Sequence, residues 1–126
     1  TSLSSNSTAF RAFIDFEEAC NYYLAFELGM GILGCCIKSN TIDINKARAF
    51  VRGYQQERPL VDEEKESLQL FVQYAAVALS YWRFNKYNIK EPHESMAIQH
   101  WEMVEVAKNI SEISDTYFYN SIFAKD

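Results

Sequence analysis

The feature that most constrains the fold is a long helical pattern that begins near Asp62 and ends between residues 87 and 92. Its first turns are amphipathic, and the acidic residues at its start lie at the positive end of the helix dipole. Residues 71–84 are apolar on most sides. A helix that is apolar all round is normally buried, so we expect this half to form the buried centre of the domain.

A second apolar stretch and a capping residue predict two helices before the long one. Residues 22–37 are almost continuously apolar and predict a buried helix. Asp43 is suited to cap the next helix, because its carboxylate can accept hydrogen bonds from the free N–H groups of the following turn. That helix should end before Pro59, since the residue preceding a proline disfavours the helical conformation.

Two further helices are predicted after the long one. The first covers about residues 93–109, with Ile98 and Trp101 at the spacing of one inward face. The last helix begins after Ser111 or Ser114, either of which can serve as its cap. The chain therefore contains about five helices.

The one predicted strand is a short apolar run, residues 10–14, that is followed by Asp15 and, two residues later, Glu17. An acid at the end of a strand faces solvent or a ligand rather than a core, so this pair is the candidate functional site. The alternative is that these acids only cap the next helix. Because a lone hairpin is marginal in water, we expect the strand to pair with a segment upstream of Thr1.

Composition limits the class of protein and the partners it can have. A chain of 126 residues with a formal net charge of -5 fits one domain, and its acidity argues against nucleic acid or an anionic membrane as partner. No apolar run approaches the roughly 18 residues of a membrane span. We therefore expect a mainly α protein with one short N-terminal strand or hairpin.

The cysteines indicate a reducing compartment. Cys20, Cys35 and Cys36 are odd in number and two of them are adjacent, which is a poor disulfide framework and lacks zinc-ligand spacing. We expect buried thiols in a cytoplasmic protein.

A glycine motif in the first apolar stretch resembles a phosphate loop. Residues 29–34 read G-M-G-I-L-G and match G-x-G-x-x-G. That pattern binds phosphate only where it follows a strand and opens a helix, whereas here it lies inside a helical run. We expect Gly29, Gly31 and Gly34 to permit close helix packing instead.

Two segments around the acid pair carry a resemblance to known families. Residues 14–21 (I-D-F-E-E-A-C-N), followed by residues 25–29 (A-F-E-L-G), resemble a segment shared by the aminoglycoside phosphotransferase and choline kinase-like families. That segment indicates the class of reaction rather than the substrate.

The later part of the chain resembles the C-terminal portion of homoserine kinases of the same phosphotransferase type. The resemblance covers about residues 10–101. It is carried by residues 53–60 (G-Y-Q-Q-E-R-P-L), Glu63-Glu64, residues 74–76 (Y-A-A) and residues 82–84 (W-R-F).

This resemblance implies a fold and a set of roles. The fold would be the helical part of a protein-kinase-like C-lobe, in a kinase that uses ATP and Mg²⁺. Asp15 matches the acid that holds Mg²⁺ on the β- and γ-phosphates, and a carboxylate is the hard oxygen ligand that this ion prefers. Glu17 would contact a metal-bound water or the acceptor. Glu27 stands where the family has an Asp that supports the catalytic loop, so it keeps the charge but changes the reach.

The resemblance also implies what this chain lacks. The loop with the catalytic base, the strand lysine and the rest of the N-lobe are expected upstream of Thr1. His93 and His100 do not fit the catalytic-loop pattern, and we expect both to be surface helix residues. The chain, as a single C-lobe domain of residues 1–126, is therefore expected to be inactive alone and to need the missing part as its partner. Homoserine is the leading small-molecule substrate.

Several alternatives remain open. Choline, ethanolamine or an amino sugar could be the acceptor, with Tyr22, Tyr23, Tyr81 and Trp82 lining the site, although aromatic residues at helical spacing are more often core. A different possibility is a non-enzymatic helical interaction module, in which exposed aromatic residues bind a partner.

Two arginines have structural and functional interpretations. A substrate carboxylate would need an arginine. Arg58 could instead be a cation at a helix end that satisfies carbonyls, and Arg83 a buried partner of an acid; we favour these structural roles.

Overall fold

A computed structural model describes residues 11, 12, 14 and 23–125 of the chain, and this part is mainly α, as expected. Among these residues it contains five α-helices and one two-stranded hairpin. A π-helical segment, Lys86–Lys90, and a 3₁₀ turn, Glu94–Met96, precede the fourth α-helix. In chain order the elements are α1 (Leu24–Cys35), β1 (Ile37–Lys38), β2 (Thr41–Ile42), α2 (Ile44–Glu57), α3 (Asp62–Asn85), α4 (His100–Ser111) and α5 (Asp115–Phe123).

The long helix α3 is the centre of the fold. It packs along α1 on one flank and along α4 on the other, while α5 lies against α2 and α3. Its inner face consists of Leu68, Val72, Ala75 and Ala76, all fully buried. These residues recur at three- and four-residue spacing, which places them on one side of the helix.

The expectation that residues 71–84 are buried on most sides is wrong. The side of α3 opposite its inner face is exposed along a row of five apolar residues, whose exposed fractions run from 42% to 69%. The neighbouring helices α1, α4 and α5 leave this side of α3 exposed. We call this row the outer stripe; it consists of Leu70, Tyr74, Val77, Tyr81 and Phe84.

The glycine motif lies inside α1, as predicted. A Cβ on Gly29 would lie 3.0 Å from the backbone C and O of Phe71, and a Cβ on Gly31 would lie 2.6 Å from the ring of Phe50. Close packing therefore explains the first two glycines. A Cβ on Gly34 would meet no atom of the described part of the chain within 4 Å, so packing does not explain the third.

The described hairpin follows α1 and consists of β1 and β2. Its antiparallel strands are joined by Ser39 and Asn40, whose φ angles of 51° and 58° match the left-handed pair of a two-residue type I′ turn. The amide of Asn109 donates to the carbonyl of Asn40 at 2.9 Å, and the amide of Asn40 donates to Glu105 at 3.2 Å. These bonds fasten the hairpin to α4.

Three of the five residues of the predicted N-terminal strand are described, and none of the three belongs to a strand. They are Arg11, Ala12 and Ile14, and the other two lie outside the described residues. The pairing of this segment with an upstream strand stays a prediction.

Both predicted caps that the structure describes are confirmed. Asp43 accepts a hydrogen bond from the backbone N–H of Lys46 at 3.2 Å at the start of α2. Ser114, rather than Ser111, accepts from the N–H of Tyr117 at 3.4 Å at the start of α5.

The helix predicted for residues 93–109 begins later, at His100, and its predicted inward face is wrong. Ile98 is 72% exposed and Trp101 is 61% exposed. Ile98 precedes the helix, and Trp101 lies two residues before the buried Met103, which places it on the opposite side of α4. The buried face consists of Met103, Val106, Ala107 and Ile110.

No helix in the described part of the chain is long and apolar enough to cross a membrane.

Candidate functional site

The two acids singled out in the sequence, Asp15 and Glu17, lie outside the described residues. Their proposed roles therefore stay predictions. The structure describes the chain without a gap from Tyr23 onwards. The third candidate acid, Glu27, lies within this part.

Glu27 lies in the first turn of α1 and is exposed. This end of α1 is held against α3 by two aromatic pairs. The Tyr23 and Phe71 ring centroids are 6.1 Å apart, and Phe26 meets Tyr74 edge-on at 5.4 Å. A carboxylate in the first turn is favoured by the helix dipole, so Glu27 is an acid on a fixed helix end that faces solvent.

The described residues contain no group of three or more His, Cys, Asp or Glu that could hold a metal ion. A magnesium site does not need such a group, because Mg²⁺ is usually bound by one or two carboxylates together with substrate phosphates and water. The carboxylates of Asp15 and Glu17 have the right donor chemistry for that arrangement. The metal assignment thus rests on donor chemistry and on the sequence resemblance.

Arg58 is engaged at the junction of α2 and α3. Its guanidinium donates to both carboxylate oxygens of Glu64, at 2.6 and 3.1 Å, and Nη1 lies 3.5 Å from the hydroxyl of Tyr54. Glu64 also accepts from the backbone N–H of Val61 at 3.3 Å. The predicted structural role at a helix end fits Arg58, but its described side-chain partners are a carboxylate and a phenol rather than backbone carbonyls.

The Arg58–Glu64 pair shifts the ionisation of both groups. The hydrogen bonds from Arg58 lower the pKa of the Glu64 carboxyl, and the hydrogen bond to Glu64 raises the pKa of Arg58. Both residues are charged at neutral pH, so the junction is a permanent ion pair with two parallel hydrogen bonds.

Arg83 is also engaged, at the junction of α3 and α4. Its Nη1 donates to the carboxylate of Glu102 at 3.2 Å and to the carbonyl of Gln99 at 3.3 Å. The predicted pairing with an acid is confirmed, although Glu102 is itself exposed. Neither Arg58 nor Arg83 lines the open cleft beside α3 that is described next.

An open cleft of about 450 Å³ lies between α3 and the adjacent ends of α4 and α5. Three of its lining residues are acids, which repel a nucleotide phosphate or a substrate carboxylate. This cleft is therefore a poor site for ATP. Its lining residues are Glu63, Glu66, Ser67, Gln69, Leu70, Gln73, Ser111 and Asp115.

The aromatic residues near the end of α3 are not core. Tyr81 and Trp82 are exposed, as is Tyr23, whereas Tyr22 lies outside the described residues. The ammonium of Lys86 lies 4.8 Å from the centroid of the Trp82 ring. Because a lysine of the same chain already occupies this ring face, the cluster gives no cage for a quaternary ammonium.

The two histidines are not arranged for catalysis. His93 is exposed outside any α-helix, with Nδ1 2.9 Å from the hydroxyl of Ser95. His100 begins α4 and packs edge-on against Phe84 with centroids 5.1 Å apart. The prediction of a surface helix residue therefore fits His100 only.

The described cysteines differ from each other. Cys36 is buried, and this burial raises the pKa of its thiol. Cys35 is exposed, so the expectation of buried thiols is wrong for it. Cys20 lies outside the described residues.

Part of this chain is similar to homoserine kinases. The homoserine kinase of Rhodopseudomonas palustris (strain BisB18) is 38% identical over 65 residues, which are 51% of this chain and 20% of that protein. The enzyme of Gluconobacter oxydans (strain 621H) is 37% identical over 65 residues, which are 51% of this chain and 21% of that protein. The enzyme of Caulobacter sp. (strain K31) is 32% identical over 69 residues, which are 54% of this chain and 22% of that protein.

The chain spans about a fifth of the length of the curated relatives it matches. No family model matches it, and no solved structure matches it.

Two features of this region were missed by sequence reasoning. Glu64 holds both Arg58 and the first turn of α3, and its position three residues after Val61 is the spacing at which a glutamate caps a helix start. The outer stripe is visible in the sequence as apolar residues at three- and four-residue spacing, but the sequence prediction places these residues in the core.

Proposed function

We propose that this chain is the C-terminal, helical part of a kinase that uses ATP and Mg²⁺ to transfer the γ-phosphate to a hydroxyl acceptor, with homoserine as the acceptor. The observation that carries the proposal is its 32–38% identity, over about half the chain, to curated homoserine kinases. Because the matched part is only about a fifth of those proteins, the activity is assigned to a longer cytoplasmic protein that contains this chain. The chain alone is expected to be inactive.

Within this proposal three acids of the chain have roles. Asp15 holds Mg²⁺, whose charge, when the ion is bound, offsets that of the β- and γ-phosphates. Glu17 contacts a metal-bound water or the acceptor, and Glu27 supports the catalytic loop from the start of α1. The catalytic base and the N-lobe lie in the polypeptide upstream of Thr1.

Arg58 and Arg83 leave the substrate carboxylate to other groups. An amino-acid acceptor needs an arginine or a helix N-terminus for its carboxylate. Arg58 and Arg83 are bound to Glu64 and Glu102. We therefore expect a group other than these two arginines to bind the carboxylate of homoserine.

The test is the activity of the longer protein with Asp15 replaced. Asp15→Asn removes the charge and keeps the shape, and it should lower Mg²⁺-ATP-dependent phosphorylation of homoserine by about 100-fold or more, the scale of losing one electrostatic stabiliser. Glu112→Gln is the matched control, because Glu112 is an exposed acid at the C-terminal end of α4 and should leave turnover unchanged.

Circular dichroism on both variants would establish that they fold. If folded Asp15→Asn turns over at the rate of the unsubstituted protein, the metal assignment is wrong. If the reading frame begins at or just before Thr1, the kinase proposal itself fails.

A helical interaction module is the second candidate, because the outer stripe leaves large apolar side chains exposed. Under this alternative Asp15 only caps a helix. Choline, ethanolamine and amino sugars remain candidate acceptors for the kinase, but Lys86 lies over the Trp82 ring, so that ring face does not favour choline.

A further inference from the structure

The outer stripe of α3 is a continuous apolar surface. Its five residues follow one another at spacings of four, three, four and three, from Leu70 to Phe84. At 1.5 Å per residue the stripe is roughly 21 Å long. Exposed side chains of this size amount to several hundred Å², the range in which a patch on a protein surface is usually an interaction site.

The spacing of the outer stripe indicates the kind of element that covers it. A narrow seam of alternating four- and three-residue steps is the pattern by which one helix packs along another. The inner face of α3 is wider, since Ala75 and Ala76 are adjacent and both buried against α1 and α4. The outer stripe therefore fits a single additional helix.

The polypeptide that precedes Tyr23 reaches α1 beside this surface. Tyr23 packs against Phe71, and Phe26 packs edge-on against Tyr74, a member of the outer stripe. The start of α1 is thus fixed next to the middle of the stripe. The homoserine kinases that the chain matches are about five times as long as the matched segment, so a protein of that kind has ample chain to cover it.

We propose that the outer stripe is the docking surface for a helix from the polypeptide that precedes Thr1 in the longer protein. This inference rests on the proposed function, which places the chain in a longer kinase. Glu63 and Glu66 lie on the same side of α3, before the stripe. We expect the docking helix to carry a basic residue opposite the two acids.

The experiment compares one substitution in two lengths of protein. Val77 is at the centre of the outer stripe and half-exposed in this chain. Val77→Glu should change the melting temperature of the 126-residue chain by about 1 °C or less, but should lower that of the longer protein by more than about 5 °C, because the charge would be buried under the docked helix. Tyr117→Glu, at an exposed position on α5, is the control that should be tolerated in both.

A second readout covers the case in which Val77→Glu prevents the longer protein from folding. Tyr81→Cys, in a background where Cys20 and Cys35 are serine, should react rapidly with a thiol reagent in the 126-residue chain. It should react at least tenfold more slowly in the longer protein.

Three results would overturn the docking proposal. One is equal tolerance of Val77→Glu in both lengths together with equal labelling of Tyr81→Cys. The second is a 126-residue chain that forms a dimer broken by Val77→Glu, which assigns the stripe to a second copy. The third is a reading frame that begins at Thr1. If Tyr81→Cys is protected from the thiol reagent in a longer protein that has no kinase activity, the proposed function is wrong but the docking proposal stands.

Discussion

The two faces of α3 are both apolar, but one is buried and the other is exposed. The inner face places Leu68, Val72 and Ala75 in a fully buried core, while the outer stripe exposes Leu70, Val77 and three aromatic residues. Both faces repeat at helical spacing. The comparison shows that apolar residues at helical spacing identify a face that is stabilised by packing against another element. Whether this chain provides that element depends on how its other helices are arranged.

The largest effect should separate two leucines of α3 that lie two residues apart. Leu68 is 0% exposed and Leu70 is 66% exposed. Leu68→Ala should lower the free energy of unfolding of this chain by about 2–5 kcal/mol, because it leaves a cavity in the core. Leu70→Ala should change it by less than about 0.5 kcal/mol. Urea unfolding of both variants checks this, and equal losses would mean that the stripe is already covered.

An intermediate effect should appear where α1 meets the inner side of α3. Gly29→Ala places a methyl 3.0 Å from the backbone of Phe71, which cannot move as a side chain can, so we expect a loss of about 1–3 kcal/mol. Gly34→Ala has open space around it and should stabilise the chain by up to about 1 kcal/mol through helix propensity. Thermal unfolding compares the two, and a stabilised Gly29→Ala would contradict the close approach of the helices.

A smaller, pH-dependent effect should appear at the start of α3, where Glu64 binds Arg58. The pKa of Glu64 is lowered in the folded chain, so its contribution is fully present above the ordinary pKa of a glutamate and is lost as the pH falls through the lowered value. Arg58→Ala should reduce the melting temperature slightly at neutral pH, and the two curves should converge in acid.

Lys65→Ala is the control, because it removes the cation next to Glu64 in α3 but keeps the Arg58–Glu64 pair. It should leave the pH dependence of stability unchanged. Parallel curves for Arg58→Ala and the unsubstituted chain at all pH values would show that the pair contributes nothing to stability.

Local sequence signals predicted the parts of this fold that depend on local interactions. Asp43 and Ser114 cap their helices because a short polar side chain can reach the N–H three residues on. The glycine motif could be placed in a helix because it lies inside a long apolar run that has the length of a helix. The later start of α4 could not be predicted, since residues 93–99 are compatible with a helix but are held by contacts such as Asn88 with Ala97.

The candidate site depended on resemblance more than on local pattern. Glu27 could be placed on the first turn of α1, whereas the roles of Asp15 and Glu17 stay predictions. The partner of Arg58 was not predicted, because a pairing between the end of one helix and the first turn of the next depends on the angle at which the chain turns at Pro59. The exposure of Trp82 was not predicted either, because sequence alone does not say how many helices surround α3.

The most direct test of the kinase proposal is an acceptor panel with the longer protein that contains this chain. Labelled ATP and Mg²⁺ would be supplied with homoserine, choline, ethanolamine or an amino sugar, and transfer of the γ-phosphate would be measured. We expect Mg²⁺-dependent transfer to the hydroxyl of homoserine well above that to the other acceptors. No transfer to homoserine under conditions where the protein is folded would contradict the proposal.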